Sequence, residues 1–337
     1  MYNIAIVGAT GVVGKKMLEV LKTHNFPINN LKLFASEKSV GKKIHFDGKE
    51  ILVDIVRENS FIDTDFVFCS ADSSVSKIIG PSVRNAHSIL IDDGNAFRMD
   101  SDVPLIVPEV NSQDVDWHKG IVSIPNCTTT PLVMVLHALK GFSNIDRVNV
   151  STYQAVSGAG AQAVKELEDQ IKKIASNQKP INDVFPHQIA MNVIPQVDSF
   201  EKNGYTKEEM KIVNETKKIM HDEELLISAT CTRVPTIVGH CESVNVTFSD
   251  EVDLEKIILI LEKQQGIIVR DKTDFNNYPT PLNSTLDDNV YVGRIRKDLS
   301  NKKGLLFWLV ADNLMKGAAT NAVQIAETII ERNKVSY

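Results

Sequence analysis

The run Ser123-Ile124-Pro125-Asn126-Cys127-Thr128-Thr129-Thr130-Pro131 passes from an apolar strand pattern, Ile121 to Ile124, into a helical one at Leu132, Val133, Val135, Leu136 and Leu139. Cys127 is therefore expected at the mouth of a helix. Backbone N–H groups there lack intrahelical partners, and the helix dipole favours negative charge. A thiol so placed ionises more readily and becomes a nucleophile. Pro131 suits the first turn, where a missing N–H costs nothing. The same residues also suit a buried structural cysteine beside a capping Asn126, because free cysteine packs as a small hydrophobe. From this stretch alone both readings stand.

A second constellation, Gly8-Ala9-Thr10-Gly11-Val12-Val13-Gly14, follows the apolar stretch Asn3 to Val7 and opens an amphipathic helix through Met17, Leu18, Val20 and Leu21. Glycines between a strand and a helix let a pyrophosphate approach the backbone at a helix N-terminus. Thr10 stands where the middle glycine of the usual dinucleotide pattern would be, and a tight strand-to-helix turn is the alternative. After the next strand, Leu31 to Ala35, comes Ser36-Glu37-Lys38-Ser39-Val40-Gly41-Lys42-Lys43. An NAD site commonly carries an acidic residue here. Hydroxyls and lysines instead suit a 2′-phosphate, so NADP is favoured over NAD. Glu37 counts against this, and a solvated basic loop is the plainer alternative. Cys231, His240 and Cys241 invite a metal reading, but no fourth ligand has usable spacing and adjacent strand residues face opposite ways, so no metal site is expected.

The elements that must hold these groups fall into two patterns. In the first half, short apolar strands alternate with helices. Further strands are expected at 65–69 and 88–92, with a helix between them. This implies a Rossmann-type, doubly wound parallel sheet with right-handed crossovers. Beyond the Cys127 helix, strands are expected at 147–156, 226–233, 241–248, 289–296 and 305–311. Helices are expected at 159–175, 206–220 and 253–263. Such a run implies an α+β domain with a largely antiparallel sheet. A helix from Asn313 to Arg332 is expected to return to the first domain. The segment 177–203, with Pro180, Pro186 and Pro195, fits no regular pattern.

Composition narrows the classes. A chain of 337 residues with 43% hydrophobic content suggests two domains with ample core. A net charge of −6 without a basic block points away from nucleic acid and from anionic membranes. The N-terminal stretch reads as a strand rather than a signal peptide, and no run is long enough to span a bilayer. Four cysteines without a CxxC pair fit a reducing cytoplasm.

Several stretches together resemble the aspartate-β-semialdehyde dehydrogenase family over nearly the whole length. They are GATGVVG, SIPNCTTTPL, YQAVSGAG from Tyr153, EEMK from Glu208, RVPTIVGHCES from Arg233 and DNLMKGAATNAVQIAE from Asp312. The cysteine motif with the downstream Arg-x6-His is the specific part. The resemblance implies NADPH-dependent reductive dephosphorylation of aspartyl-β-phosphate to the semialdehyde through a cysteine thioester. That reaction feeds the lysine, threonine, methionine and diaminopimelate routes. Cys127 is the implied nucleophile, His240 the acid/base, and Gln154 the residue that orients substrate at the reacting carbonyl. Arg233 is implied to grip the substrate α-carboxylate and Glu208 its amino group. Phosphate falls to Arg98, Asn126 and Lys211. Cofactor contacts are implied for Gly8, Thr10, Gly11, Val12, Val13, Gly14, Ser36, Lys38 and Ser39. Ser157, Gly158 and Asn313 are implied at the nicotinamide end. Family members often carry arginine where Lys38 stands, and lysine lacks that planar fork. The implied domains are 1–127 plus 313–337 for NADP, and 128–312 for catalysis and dimerisation. A homodimer is implied, or two dimers stacked as a tetramer. N-acetyl-γ-glutamyl-phosphate reductase shares the chemistry, but a free-ammonium ligand such as Glu208 makes less sense there. Glyceraldehyde-3-phosphate dehydrogenase carries its cysteine in a different motif. A silent nucleotide-binding relative would lack Cys127 or His240.

Overall fold

The computed structural model describes residues 1–336. It divides into two compact units, one of Met1–Asn126 with the segment that begins at Ala318, the other of Cys127–Gly317. Cys127 and residues 313–317 thus fall in the second unit.

The first unit contains β1 (Tyr2–Val7), α1 (Val12–Thr23), β2 (Ile28–Phe34), β3 (Lys43–Phe46), β4 (Lys49–Asp54), β5 (Phe66–Cys69), α2 (Ser73–Asn85), β6 (Ile89–Asp92), α3 (Pro108–Asn111) and β7 (Ile121–Ser123). Its sheet runs β3-β4-β2-β1-β5-β6-β7. All neighbours are parallel except β3 and β4, which form a hairpin. Ile4 to Val7, Phe66 to Cys69 and Ile89 to Asp92 are buried without alternation, as expected for strands covered on both faces. The hairpin lay outside the strand pattern read from sequence because its residues are half exposed. Its signal is Asp47-Gly48, where φ of 46° and 76° makes the left-handed turn that a two-residue hairpin requires. The chain leaves β1 at the switch point of the strand order. There Gly8 has φ of 88°, and a Cβ on it would stand 2.1 Å from the Ser70 carbonyl oxygen that follows β5. Only glycine fits that approach.

The second unit contains α4 (Thr129–Lys140), β8 (Ile145–Gln154), α5 (Ala161–Ala175), α6 (Lys207–Met220), β9 (Leu226–Arg233), β10 (His240–Phe248), α7 (Leu254–Lys263), β11 (Ile267–Val269), β12 (Val290–Asp298) and β13 (Asn301–Ala311). The sheet order is β11-β12-β13-β10-β8-β9. The three central pairings are antiparallel, and the two outer ones, β8–β9 and β11–β12, are parallel. The sheet is therefore mostly antiparallel with parallel margins. Period-two burial sets its faces. Val148, Val150, Thr152 and Gln154 of β8 are buried on one face, with His240, Glu242, Val244 and Val246 of β10. Asn149, Ser151, Ser228, Ser243 and Asn245 line an open polar hollow of about 550 Å³ on the other.

The last helix is not uniform. Met315–Ala319 is a π turn, in which the Gly317 N–H donates to the Asp312 carbonyl at 3.0 Å. The Asp312 carboxylate accepts from the N–H groups of Leu314 and Met315 at 2.9 and 3.1 Å, which fixes the start of this turn. α8 (Thr320–Glu331) then packs in the first unit, where Asn321 Nδ2 donates to the Ile106 carbonyl at 2.9 Å and His24 meets Glu327 at 3.0 Å. Among the described residues no helix is long and apolar enough to cross a membrane.

Candidate active site

In the first unit the residues singled out from sequence gather beyond the carboxyl ends of parallel strands. Gly8 to Gly14 follow β1, Ser36 to Ser39 follow β2, Arg98 lies after β6, and Asn126 follows β7. That edge is where open α/β sheets bind ligands. Gly11 is the N-cap of α1 and offers no side-chain cap, so the helix N-terminus depends on another acceptor. Gly14 is packed tightly, since a Cβ there would lie 2.2 Å from the Gly8 carbonyl oxygen. Thr10 Oγ1 donates to Ser39 Oγ at 3.3 Å, and Lys42 Nζ reaches the same oxygen at 3.2 Å. The two loops are thereby tied together at Ser39. Ser36 and Lys38 are exposed, whereas Lys43 is paired with Glu50 at 2.6 Å. Arg98 is buried, and its Nη2 donates to the Asp93 carbonyl at 2.8 Å. Burial pushes the Asp92 and Asp93 carboxyls up, and the Arg98 guanidinium opposes the shift. Asn126 is buried but does not cap α4. Thr128 is the N-cap, because the chain turns into the helix two residues later than a capping Asn126 requires.

The second unit separates the four cysteines. Cys69, Cys231 and Cys241 are buried, and burial pushes their thiols up, to about 12 for Cys69 and Cys241. Cys127 alone is partly exposed, one residue before the α4 N-cap. Gly317 packs on it so closely that a Cβ would stand 3.0 Å from Cys127 Cβ and 3.2 Å from its carbonyl oxygen. The π turn thus sets the wall behind the thiol. Gly317→Ala is expected to lower kcat about 10-fold by displacing Cys127, with slower alkylation of the thiol in the folded protein. Wild-type values for both would remove Gly317 from this role.

Three side chains share one level on the helix-covered face of the sheet. Gln154 pairs with Arg233 across β8 and β9, and His240 stands beside them at the start of β10, where Cys241 pairs with Tyr153. His240 is 1% exposed. The Ala155 N–H donates to its Nδ1 at 3.0 Å, so the neutral ring carries its hydrogen on Nε2, which has no hydrogen-bond partner among the described residues. Burial and then the Arg233 charge hold the imidazole down at about 3, hence neutral at physiological pH. A Cβ on Gly158 would lie 3.1 Å from His240 Nε2 and 3.2 Å from Arg233 Nη1, so glycine leaves both groups open.

Arg233 is also buried. Its Nη1 donates to the Ala155 carbonyl at 2.7 Å, and its guanidinium lies 5.9 Å from the Phe185 ring centre. Burial lowers its pKa, while Glu208 and, when ionised, Cys127 raise it. No carboxylate lies within ion-pair distance of it among the described residues. Gln154 Nε2 donates to Glu208 Oε1 at 2.9 Å. Glu208 Oε2 accepts from Lys211 Nζ at 2.9 Å, and Lys211 also reaches Asp198 at 3.0 Å. The i,i+3 pair on α6 is therefore a buried-edge network rather than a solvated charge pair. Asn313 joins two loops: its Oδ1 accepts from the Gly239 N–H at 2.9 Å and its Nδ2 donates to Ser157 Oγ at 3.0 Å. It fixes the residue before His240.

Sequence reading missed three contributors. The segment 177–203 builds a wall of this site. Glu166 accepts the N–H groups of Asp183, Val184 and Phe185, and Gln170 Oε1 accepts those of Ile189 and Ala190 at 3.0 Å. Ile194 and Arg233 exchange backbone hydrogen bonds of 3.0 and 2.8 Å. Phe185 and Asp198 come from the same segment. The third contributor, Glu242, was legible only as an even-numbered companion of His240 on β10. It is wholly buried, neither carboxyl oxygen has a partner among the described residues, and burial pushes its pKa well up. The folded state therefore prefers the protonated acid, and this preference costs stability progressively as pH rises above the unfolded carboxyl range. Glu242→Met is expected to unfold at a higher temperature than wild type at pH 8, with the difference shrinking towards pH 4. A gap that does not vary with pH would contradict a protonated Glu242.

A doubly wound unit with its ligand edge open, joined to a sheet-and-helix unit bearing a helix-mouth thiol and a neutral imidazole, defines the two-domain nucleotide-dependent semialdehyde dehydrogenases. Family models described as the semialdehyde dehydrogenase NAD binding domain and dimerisation domain match residues 3–118 and 136–316. Aspartate-semialdehyde dehydrogenase of Aquifex aeolicus is 48% identical over 99% of both chains. A crystal structure of aspartate semialdehyde dehydrogenase II from Vibrio cholerae, complexed with ASA, superposes with a TM-score of 0.96 at 41% identity over 98% of each chain. The Candida albicans enzyme with NADP matches at a TM-score of 0.76 and 26% identity over 99% of each chain. The chain belongs to the aspartate-semialdehyde dehydrogenase family.

Proposed function

We propose that this chain reduces L-aspartyl-4-phosphate to L-aspartate-4-semialdehyde and phosphate with NADPH, and catalyses the reverse. The observation that carries the reading is the buried Arg233, a guanidinium without a carboxylate partner on the level of Gln154 and His240. In a low-dielectric site such a cation needs an anion. The α-carboxylate of the substrate supplies one in bidentate form.

In the phosphorylating direction the Cys127 thiolate attacks the aldehyde carbon, and the carbonyl electron pair moves to oxygen. His240 Nε2–H is the donor for that oxygen, and the Ala155 hydrogen bond holds the tautomer that makes it one. A nicotinamide held at Ser157 and Gly158 would supply the hydride acceptor for the thiohemiacetal carbon. As the hydride leaves, the oxygen electron pair re-forms the carbonyl, His240 keeps its Nε2 proton as the hydrogen-bond donor, and a thioester remains on Cys127. Phosphate adds to the thioester carbon and expels the thiolate, giving the acyl phosphate. Glu208 faces the substrate ammonium, with its carboxylate oriented by Gln154 and Lys211. Arg98, Asn126 and Lys211 serve the phosphate.

The glycine cradle at Gly8 and Gly14 and the uncapped α1 terminus fit a dinucleotide pyrophosphate. Ser36, Lys38 and Ser39 then serve the 2′-phosphate, with Thr10 to Val13 beneath and Ser157 and Gly158 at the nicotinamide end. Dimerisation uses the open polar face of the second sheet around Asn149, Ser243 and Asn245. The test is a phosphate-dependent assay with aspartate semialdehyde and N-acetylglutamate semialdehyde, each with NADP and with NAD. Turnover with the free-amine aldehyde and NADP is expected. Turnover with the acetylated aldehyde would replace this reading.

A further inference from the structure

The catalytic level of the second sheet rests on a second level directly beneath it. Cys231 of β9 pairs with Thr152 of β8, and Thr152 pairs with Glu242 of β10, two residues from Arg233, Gln154 and His240 respectively. Strand periodicity puts both levels on the same face. Within the lower level, Thr152 bonds upward to a residue of the upper one. It is fully buried, and its Oγ1 donates to Gln154 Oε1 at 3.0 Å.

The consequence lies in the Gln154 amide. Its oxygen is occupied by Thr152, and one hydrogen of its Nε2 by Glu208 at 2.9 Å. An amide can turn over and exchange its oxygen and nitrogen ends. Turned over, the amide would set its oxygen against the Glu208 carboxylate, acceptor against acceptor, and Thr152 would have to give up donating and accept an N–H instead. The second Nε2 hydrogen is thereby left in one fixed direction.

We propose that Thr152 is a positioning residue, whose hydroxyl fixes the orientation of the Gln154 amide and through it the Glu208 carboxylate that faces the substrate. This rests on the active-site reading of Gln154 given above. The hydroxyl touches no substrate. It acts by satisfying a buried oxygen that would otherwise seek the donors around it, including those meant for substrate.

The experiment is a double-mutant cycle on the full-length enzyme, assayed with aspartate semialdehyde, NADP and phosphate. Thr152→Val keeps the shape and removes the hydroxyl. It is expected to lower kcat about 10-fold with a smaller change in the KM for NADP. Thr152→Ser keeps the hydroxyl and is expected within about 2-fold of wild type. In a Gln154→Ala background, Thr152→Val is expected to add nothing further. Full additivity of the two substitutions, or equal losses in Thr152→Val and Thr152→Ser, would overturn the proposal. If Gln154→Ala itself retains wild-type kcat, the active-site reading of Gln154 fails instead, and that outcome is read independently of Thr152. Thermal melts of each variant identify any loss that comes from unfolding.

Discussion

Cys127→Ser is expected to lose about 10³-fold or more in kcat while keeping its fold and its affinity for NADP. Serine has the same shape, so the packing of Gly317 on this position survives. Its hydroxyl stays protonated at neutral pH, however, and an alkoxide at the α4 mouth is far less accessible than a thiolate. The other three cysteines cannot substitute, because burial keeps Cys69, Cys231 and Cys241 as thiols. Steady-state rates and NADPH fluorescence titration check both halves. A serine variant with more than a tenth of wild-type kcat would remove Cys127 as nucleophile.

Arg233→Lys is expected to raise the KM for the semialdehyde about 30- to 100-fold and to leave the KM for NADP within about 2-fold. The guanidinium is anchored by one N–H to the Ala155 carbonyl and stands near the Phe185 ring, which leaves its remaining donors in a fixed fork. Lysine offers a point charge on a mobile stem. If it keeps the Ala155 bond it presents one hydrogen bond where arginine presents two. The loss therefore falls on binding of the carboxylate more than on the chemical step. An unchanged KM would take Arg233 out of the substrate site.

Both predictions start from residues that sequence alone placed unevenly. The strand-to-helix passage at Cys127 was legible because an apolar run gives way to helical spacing there, although its cap is Thr128 rather than Asn126. The parallel sheet was legible from buried strands that never alternate. His240 and Arg233 came from the family resemblance, since nothing local distinguishes either one. What sets them together is tertiary: the register that places Arg233 beside Gln154, and the Ala155 N–H on His240 Nδ1. The segment 177–203 stayed unread because its order comes from Glu166 and Gln170, polar residues of α5 whose side chains replace the missing backbone ladder. No periodicity encodes that. The π turn at Met315–Ala319 was likewise hidden, since a one-residue expansion leaves the helical pattern on either side nearly intact.

The most direct measurement withholds phosphate. The protein is mixed with aspartate semialdehyde and NADP, quenched in acid, digested and analysed by peptide mass spectrometry. One equivalent of NADPH per active site is expected, together with an aspartyl thioester on the peptide containing Cys127 that is discharged when phosphate is added before the quench. NADPH formation without an adduct, or an adduct on a different cysteine, would contradict a thioester on Cys127.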